Sequence, residues 1–334
     1  MRRTGRYPVV LITETGRAAL PPGLEGPGGR AHDGVHAAPR QIANASPGRD
    51  LTVLAPAGGR PALSASGLTL SGLYVYPIKS CGGIALESAT VDTTGLRYDR
   101  RWMLVDDAGE FLSQRRLPKM ALISVRFGPE RLIVSAPGMP DLEVPLLPET
   151  ADRVGVSVWG DSSQGVPVGE HADRWFGEFL DFPCRLVYKP DEDVRLVDSH
   201  YAEDGDQVGF ADGYSFLMIS EASLDDLNER LEAPVPMNRF RPNLVVSGCE
   251  PFAEDGWSMV RVGSVPFRVA EPCARCAITT VDQETGSRGK EPLRTLATYR
   301  KSGGEVFFGR NLIHASLGTV RVGDPVEVTP RPSP

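Results

Sequence analysis

From Leu68 onward the chain alternates short strand-forming runs with turns, and this rhythm limits the possible folds more than any other feature. Leu68–Tyr76 is rich in Leu, Val and Tyr, and Pro77, which cannot donate to a ladder, ends it. Ile84–Asp92 and Arg101–Val105 read as the next strands, the second stopped by the turn Asp106-Asp107-Ala108-Gly109. Ala121–Phe127, Arg131–Ala136, Leu142–Leu146 and Val154–Val158 repeat the pattern. A short amphipathic helix then places Trp175, Phe176, Phe179 and Leu180 on one face.

The second half carries two helices. Ser220 is a good N-cap for a helix reaching Leu231, with Leu224, Leu227 and Leu231 in one stripe. Pro292 suits the first position of another, which should bury Leu293 and Leu296. Strands are expected at Leu244–Ser247, Met259–Val262, Pro266–Ala270 and Gly318–Val322, with a valine-flanked turn over 322–328. Lys189-Pro190-Asp191-Glu192-Asp193 reads as a solvated loop. The expected fold class is α+β, mainly β: a β-barrel-like domain over 67–187, then a second barrel over 188–330 with a few peripheral helices.

Residues 1–66 differ from the rest. They hold eight arginines and four acids, about +4, so the remainder carries about −11 of the net −7. Gly, Pro and Ala dominate, as in Gly26-Pro27-Gly28-Gly29, and such a stretch buries too little to offset its ordering entropy. A disordered leader is the expectation, ahead of an Arg-rich targeting peptide, which is normally amphipathic and poor in acids. The acidic balance argues against a nucleic-acid polymer as partner. The longest apolar run, Tyr7–Ile12, is far too short for a transmembrane segment. Five cysteines in 334 residues make no disulfide framework, so a reducing, cytoplasmic location is expected.

Two of those cysteines stand three apart in Glu271-Pro272-Cys273-Ala274-Arg275-Cys276-Ala277-Ile278-Thr279-Thr280. A guanidinium beside a thiol favours the thiolate, the form that binds a soft metal. The β-branched run Ile278–Val281 reads as a strand, so the thiols sit at a loop–strand junction. Structural zinc would need two more ligands, and no second CxxC or HxxxH is present. A thioredoxin-like motif would open a helix rather than precede a strand. Two inert buried cysteines are the remaining alternative.

Seven stretches in order resemble one family. They are Tyr76-Pro77-Ile78-Lys79-Ser80-Cys81, Asp99-Arg100-Arg101-Trp102, Ile219–Ser223, Asn238-Arg239-Phe240-Arg241-Pro242-Asn243, Cys273–Cys276, Thr279–Asp282 and Lys290–Leu293. The chain is similar to the MOSC family, the domain shared with molybdenum cofactor sulfurases, and most of all to its branch of amidoxime-reducing components. The resemblance covers about residues 70 to 328 and implies a molybdenum–molybdopterin cofactor held by one protein thiolate. It assigns that ligand to Cys276, with Cys273 the lesser candidate. It also assigns the phosphate end to Lys79, Ser80, Arg100 and Arg241, with Asn243, Ala274 and Arg275 beside it. Asp212-Gly213-Tyr214-Ser215 matches a further cofactor loop. Asp212 and Asp282 are the candidate proton carriers, although an Asp often bonds its own loop instead.

The activity implied is reduction of N-hydroxylated compounds: hydroxylamines, amidoximes and N-hydroxylated bases. Neither a ferredoxin-type C-x4-C-x2-C run nor a GxGxxG strand–turn–helix unit is present, and no pyridoxal-phosphate domain precedes the family region. The resemblance therefore implies a separate electron donor, of ferredoxin, cytochrome or flavin-reductase type. Sulfur carriage in cofactor maturation, or non-catalytic carriage of the cofactor, are the alternative roles.

Overall fold

Alternating burial along Thr69–Val75 fixes the first strand: Leu70, Leu73 and Val75 are buried, and Thr69 and Ser71 only half so. The computed structural model describes residues 67–197 and 200–331, which form one compact unit. The expected leader lies outside the described residues.

The strands are β1 (Thr69–Val75), β2 (Ile84–Ala85), β3 (Ser88–Asp92), β4 (Gly95–Leu96), β5 (Trp102–Val105), β6 (Ser124–Gly128), β7 (Arg131–Ser135), β8 (Leu142–Pro145), β9 (Val154–Val158) and β10 (Asp161–Pro167). Helix α1 (Glu170–Leu180), β11 (Arg185–Tyr188), β12 (Phe216–Ser220), α2 (Glu221–Glu229) and β13 (Leu244–Ser247) follow. The chain continues with β14 (Trp257–Val262), β15 (Val265–Ala274), α3 (Leu293–Leu296), β16 (Lys301–Ser302), β17 (Glu305–His314), β18 (Gly318–Arg321) and β19 (Val326–Pro330). The fold is α+β and mainly β, as expected.

The largest sheet runs β19-β14-β15-β17-β12-β13-β1-β2, with β16 on β17. Smaller sheets are β5-β11-β10-β9, β18-β3-β4 and β6-β7-β8. Strands far apart in the sequence share ladders: β1 pairs with β13 and β3 with β18. β12 and β13 are parallel, which requires a crossover, and α2 supplies it. Ser220 caps α2 by accepting from Ser223 N. The main core packs Leu73, Trp102, Phe216, Leu244, Phe267 and Leu312 between these sheets. Each large apolar side chain buried there contributes about 1.5–3 kcal/mol.

Helix α1 buries Trp175, Phe176 and Leu180 as its spacing required, while Phe179 is only partly covered. Several expectations need correction. Ile278–Val281 is no strand: Ala277–Thr280 forms a 3₁₀ turn with Cys276 at its N-cap. The threonine hydroxyls turn back, Thr279 Oγ1 to Cys276 O at 3.1 Å and Thr280 Oγ1 to Ala277 O at 2.8 Å, and this local bonding displaces a ladder. Ala121 and Leu122 close a 3₁₀ helix begun by Pro118, so that strand starts at Ser124. α3 has one turn, burying Leu296 fully and Leu293 only in part. Nor is 189–193 wholly solvated: Lys189 is buried and donates to Asp193 Oδ2 at 2.8 Å.

Candidate cofactor-binding site

Loops at strand ends enclose a cleft of ≈ 370 Å³. Lys79 and Ser80 follow β1, Arg100 precedes β5, and Ala211–Tyr214 lead into β12. Arg241 and Asn243 precede β13, and Cys273–Cys276 lie at the end of β15 and just beyond it. Among the described residues eight non-glycines have a left-handed backbone, and four of them, Ser80, Arg100, Trp159 and Arg241, lie in this cleft or at its rim. Such conformations cost about 1–3 kcal/mol each and persist only where surrounding contacts enforce them.

The floor is a network of buried polar groups. Asp99, 3% exposed, accepts Tyr76 N at 2.8 Å and Arg100 Nη1 at 2.5 Å. Burial pushes its carboxyl up, against the pull of the Arg100 charge. Arg100 Nη1 also donates to Asn243 Oδ1 at 3.0 Å, and Asn243 Nδ2 donates to Tyr74 O at 3.1 Å. The Tyr76 ring is gripped by two guanidiniums, Arg100 at 4.4 Å and Arg241 at 4.3 Å.

The cations outnumber the anions. Lys79, Arg100, Arg115, Arg241 and Arg275 line the cleft against Asp212 and Glu271. Arg241 and Arg275 have no carboxylate within ion-pair reach among the described residues. Arg241 Nη1 donates to Cys81 O at 2.6 Å, and Arg275 Nη2 to Phe240 O at 2.6 Å. Burial pushes the Arg241 guanidinium down to about 10, which leaves it charged at neutral pH. Arg275 Nε is buried without a partner. A cleft built this way suits an anionic ligand.

Cys276 is exposed, whereas Cys273 is half-buried and accepts from Arg275 Nη1 at 3.0 Å. Burial raises the Cys273 thiol although Arg275 opposes it. Burial pushes Cys81 up to about 12 and Cys184 likewise, so neither is a ready thiolate. Among the described residues no three His, Cys, Asp or Glu side chains group as a metal cage.

Asp212 and Lys79 form an ion pair at 2.5 Å, and Lys79 Nζ also donates to Phe210 O at 2.7 Å. Trp159 Nε1 donates to the same Asp212 oxygen at 2.9 Å. Partial enclosure pushes the Asp212 carboxyl up, but Lys79 and Trp159 outweigh it and hold it below the ordinary carboxylate range. The side chain is still 65% exposed, so solvent screens the pair. Asp212 is thus an anchor for the lysine and holds no proton at neutral pH.

Two predicted residues are not brought to the cleft. Ser215 is buried with its hydroxyl on Gln207 O at 2.9 Å. Asp282 closes its own turn, accepting Thr285 N at 2.8 Å and Glu284 N at 3.1 Å, and faces Arg239 at 3.6 Å. Two groups escaped the sequence reading. Arg195, 5% exposed, donates to Ala211 O at 2.6 Å and Asp212 O at 2.8 Å, and so fixes the loop that carries Asp212. Phe111, Arg115 and Trp159 form the rim; they lie between expected strands, where no periodicity marks them.

The chain belongs to the MOSC family: residues 67–183 match the MOSC N-terminal beta barrel domain and residues 205–327 the MOSC domain. Mitochondrial amidoxime-reducing component 1 of Mus musculus is 40% identical over 276 residues, 77% of this chain and 81% of that one. Its Homo sapiens counterpart is 36% identical over 278 residues, 77% of this chain and 82% of that one. Molybdenum cofactor sulfurase of Oryza sativa is 34% identical over 267 residues, 73% of this chain but 32% of that protein.

Proposed function

We propose that this protein binds a molybdenum cofactor and reduces N-hydroxylated compounds with electrons from a separate donor protein. One observation carries the reading: an exposed thiol, Cys276, stands over a cleft whose inner cations exceed its carboxylates. The relatives named as amidoxime-reducing components support it.

The residues present fit such a group. Cys276 would be the single protein sulfur on the metal. Lys79, Ser80, Arg100, Arg241 and Asn243 would hold the phosphate end, and Arg275, with its unspent Nε, the part nearer the thiol. The bound cofactor supplies the two-electron reduction at the metal. The chain's own residues orient, screen and hold charge: burial pushes the Lys79 ammonium down while Asp212 opposes it, and ionised Asp212 fixes where Nζ sits at the cleft wall. Neither Asp212 nor Asp282 is a proton donor in this arrangement. The donor protein is of ferredoxin, cytochrome or flavin-reductase type.

The test is elemental analysis of protein from a host that makes the cofactor, joined to turnover of benzamidoxime with a reduced dye. Near-stoichiometric molybdenum and turnover are expected. Zinc, or no metal together with cyanide-labile sulfur on Cys276, would replace the reductase reading with a structural or sulfur-carrying one. We also propose a reducing, cytoplasmic setting, since all five cysteines are free. Alkylation and mass mapping of freshly extracted, denatured protein should find no disulfide among the five cysteines, and a disulfide would contradict it.

A further inference from the structure

The rim of the cleft holds a cation that differs from those on the floor. Lys79 and Arg100 are tied to carboxylates, and Arg241 and Arg275 to backbone carbonyls. Arg115 lines the same cleft with no carboxylate in ion-pair reach among the described residues. Its Nε reaches Ser113 Oγ only at 3.4 Å, and its two terminal nitrogens make no hydrogen bond among the described residues.

The guanidinium is nonetheless held in place. It lies 3.9 Å from the centroid of the Trp159 ring and 5.8 Å from that of Phe111. Those two rings are themselves in contact, with centroids 5.1 Å apart. Trp159 is pinned by its hydrogen bond to Asp212 and sits at a left-handed turn between β9 and β10. Behind Arg115, the Arg288 side chain donates to the carbonyls of Gln114, at 3.1 Å, and of Arg115 itself. Trp159 remains 52% exposed, so the stack faces the opening. A braced, planar guanidinium with its paired donors unspent is preorganised for a bidentate oxyanion. The aromatic rings beside it suit a flat ligand body.

We infer that Arg115, braced by Trp159 and Phe111, is a specificity site that selects N-hydroxylated substrates carrying a carboxylate or phosphate at the end remote from the N–O group. This deepens the proposed reductase function and rests on it for turnover. The oxyanion lies on Arg115, and the body of the substrate runs along the rings towards Cys276.

The test compares benzamidoxime with its 4-carboxy and 4-phosphonooxy derivatives, using holoenzyme and a reduced dye. The charged compounds should exceed the neutral one in kcat/KM by about tenfold, the scale of one charge-assisted hydrogen-bonded pair. In Arg115→Gln that ratio should fall to about one through KM, and Arg115→Lys should restore part of it. Which charged compound gains more identifies carboxylate or phosphate as the selected group. Molybdenum content of Arg115→Gln should equal that of the wild type. An unchanged ratio overturns the inference, and so does loss of molybdenum, which would place Arg115 with the cofactor. Turnover of none of the three compounds refutes the reductase function alone. Binding then decides the inference: saturable quenching of tryptophan fluorescence by the 4-carboxy compound should weaken about tenfold in Arg115→Gln, and equal quenching overturns it.

Discussion

Arg126 and Arg131, on β6 and β7 of the meander, pair with Asp141, just before β8, and Glu143, on β8, and all four side chains are 46–60% exposed. Arg100, at the floor of the cleft, is 14% exposed and pairs with a carboxylate that is 3% exposed. Arg241 has no carboxylate in ion-pair reach among the described residues and rests on a tyrosine ring and a carbonyl. Exposed pairs gain little because water screens them and holding two long side chains costs entropy. Buried charge is expensive to install, and removing one partner is more expensive still. The meander therefore uses arginine for solubility and cross-strand matching. The cleft holds charge that the protein leaves only partly neutralised, and this surplus is the physical signature of a site for an anion.

The comparison can be broken most severely at Cys276. Cys276→Ala should lower dye-driven turnover by at least about a hundredfold, since the metal would lose the one protein sulfur proposed for it. The exposed side chain makes few folding contacts, so the urea midpoint should stay put. A fully active variant would remove Cys276 as the ligand.

Arg100→Met comes next. It leaves Asp99 buried without its cation, at a cost of about 3–5 kcal/mol in a denaturant titration. A loss under about 1 kcal/mol would show that the floor behaves like the meander.

Asp212→Asn sharpens the contrast through pH. The folded carboxyl is held below its unfolded value, so its stabilisation is present above about pH 4 and fades as pH falls through the lower folded value. Wild type should exceed the variant in urea midpoint at neutral pH, and the gap should close in acid. A gap that widens in acid would reverse the assignment of Asp212 as an ionised anchor.

The smallest effect belongs to the meander: Arg131→Ala should cost under about 1 kcal/mol, and less in high salt.

Local chemistry made much of the molecule legible. Strand runs ended by Pro and Gly turns gave the β-rich class, and the stripe of Trp175, Phe176 and Leu180 gave α1. Ser220 announced the start of α2. The ten-residue strand Glu305–His314 was not legible, because Gly309 and polar residues interrupt its apolar runs and its pairing with β12 and β15 is long-range.

By itself the sequence determined which residue types could form the site: Lys79, Arg100, Asp212, Arg241 and Cys276 lie in short contiguous motifs, and the resemblance to the MOSC family, more than local chemistry, singled them out. Only the tertiary structure decided how they are used. Lys79 meets Asp212 across 133 residues, and that contact turns a candidate acid into a fixed anion. Threonine back-bonding puts a 3₁₀ turn after Cys276 where a strand was expected, and a local turn keeps Asp282 away from the cleft. Arg115 and Trp159 meet only because separate loops converge at the rim. Covalent order sets what a short segment can form by itself, whereas burial, ion pairing and the face a charge presents depend on neighbours brought together by folding.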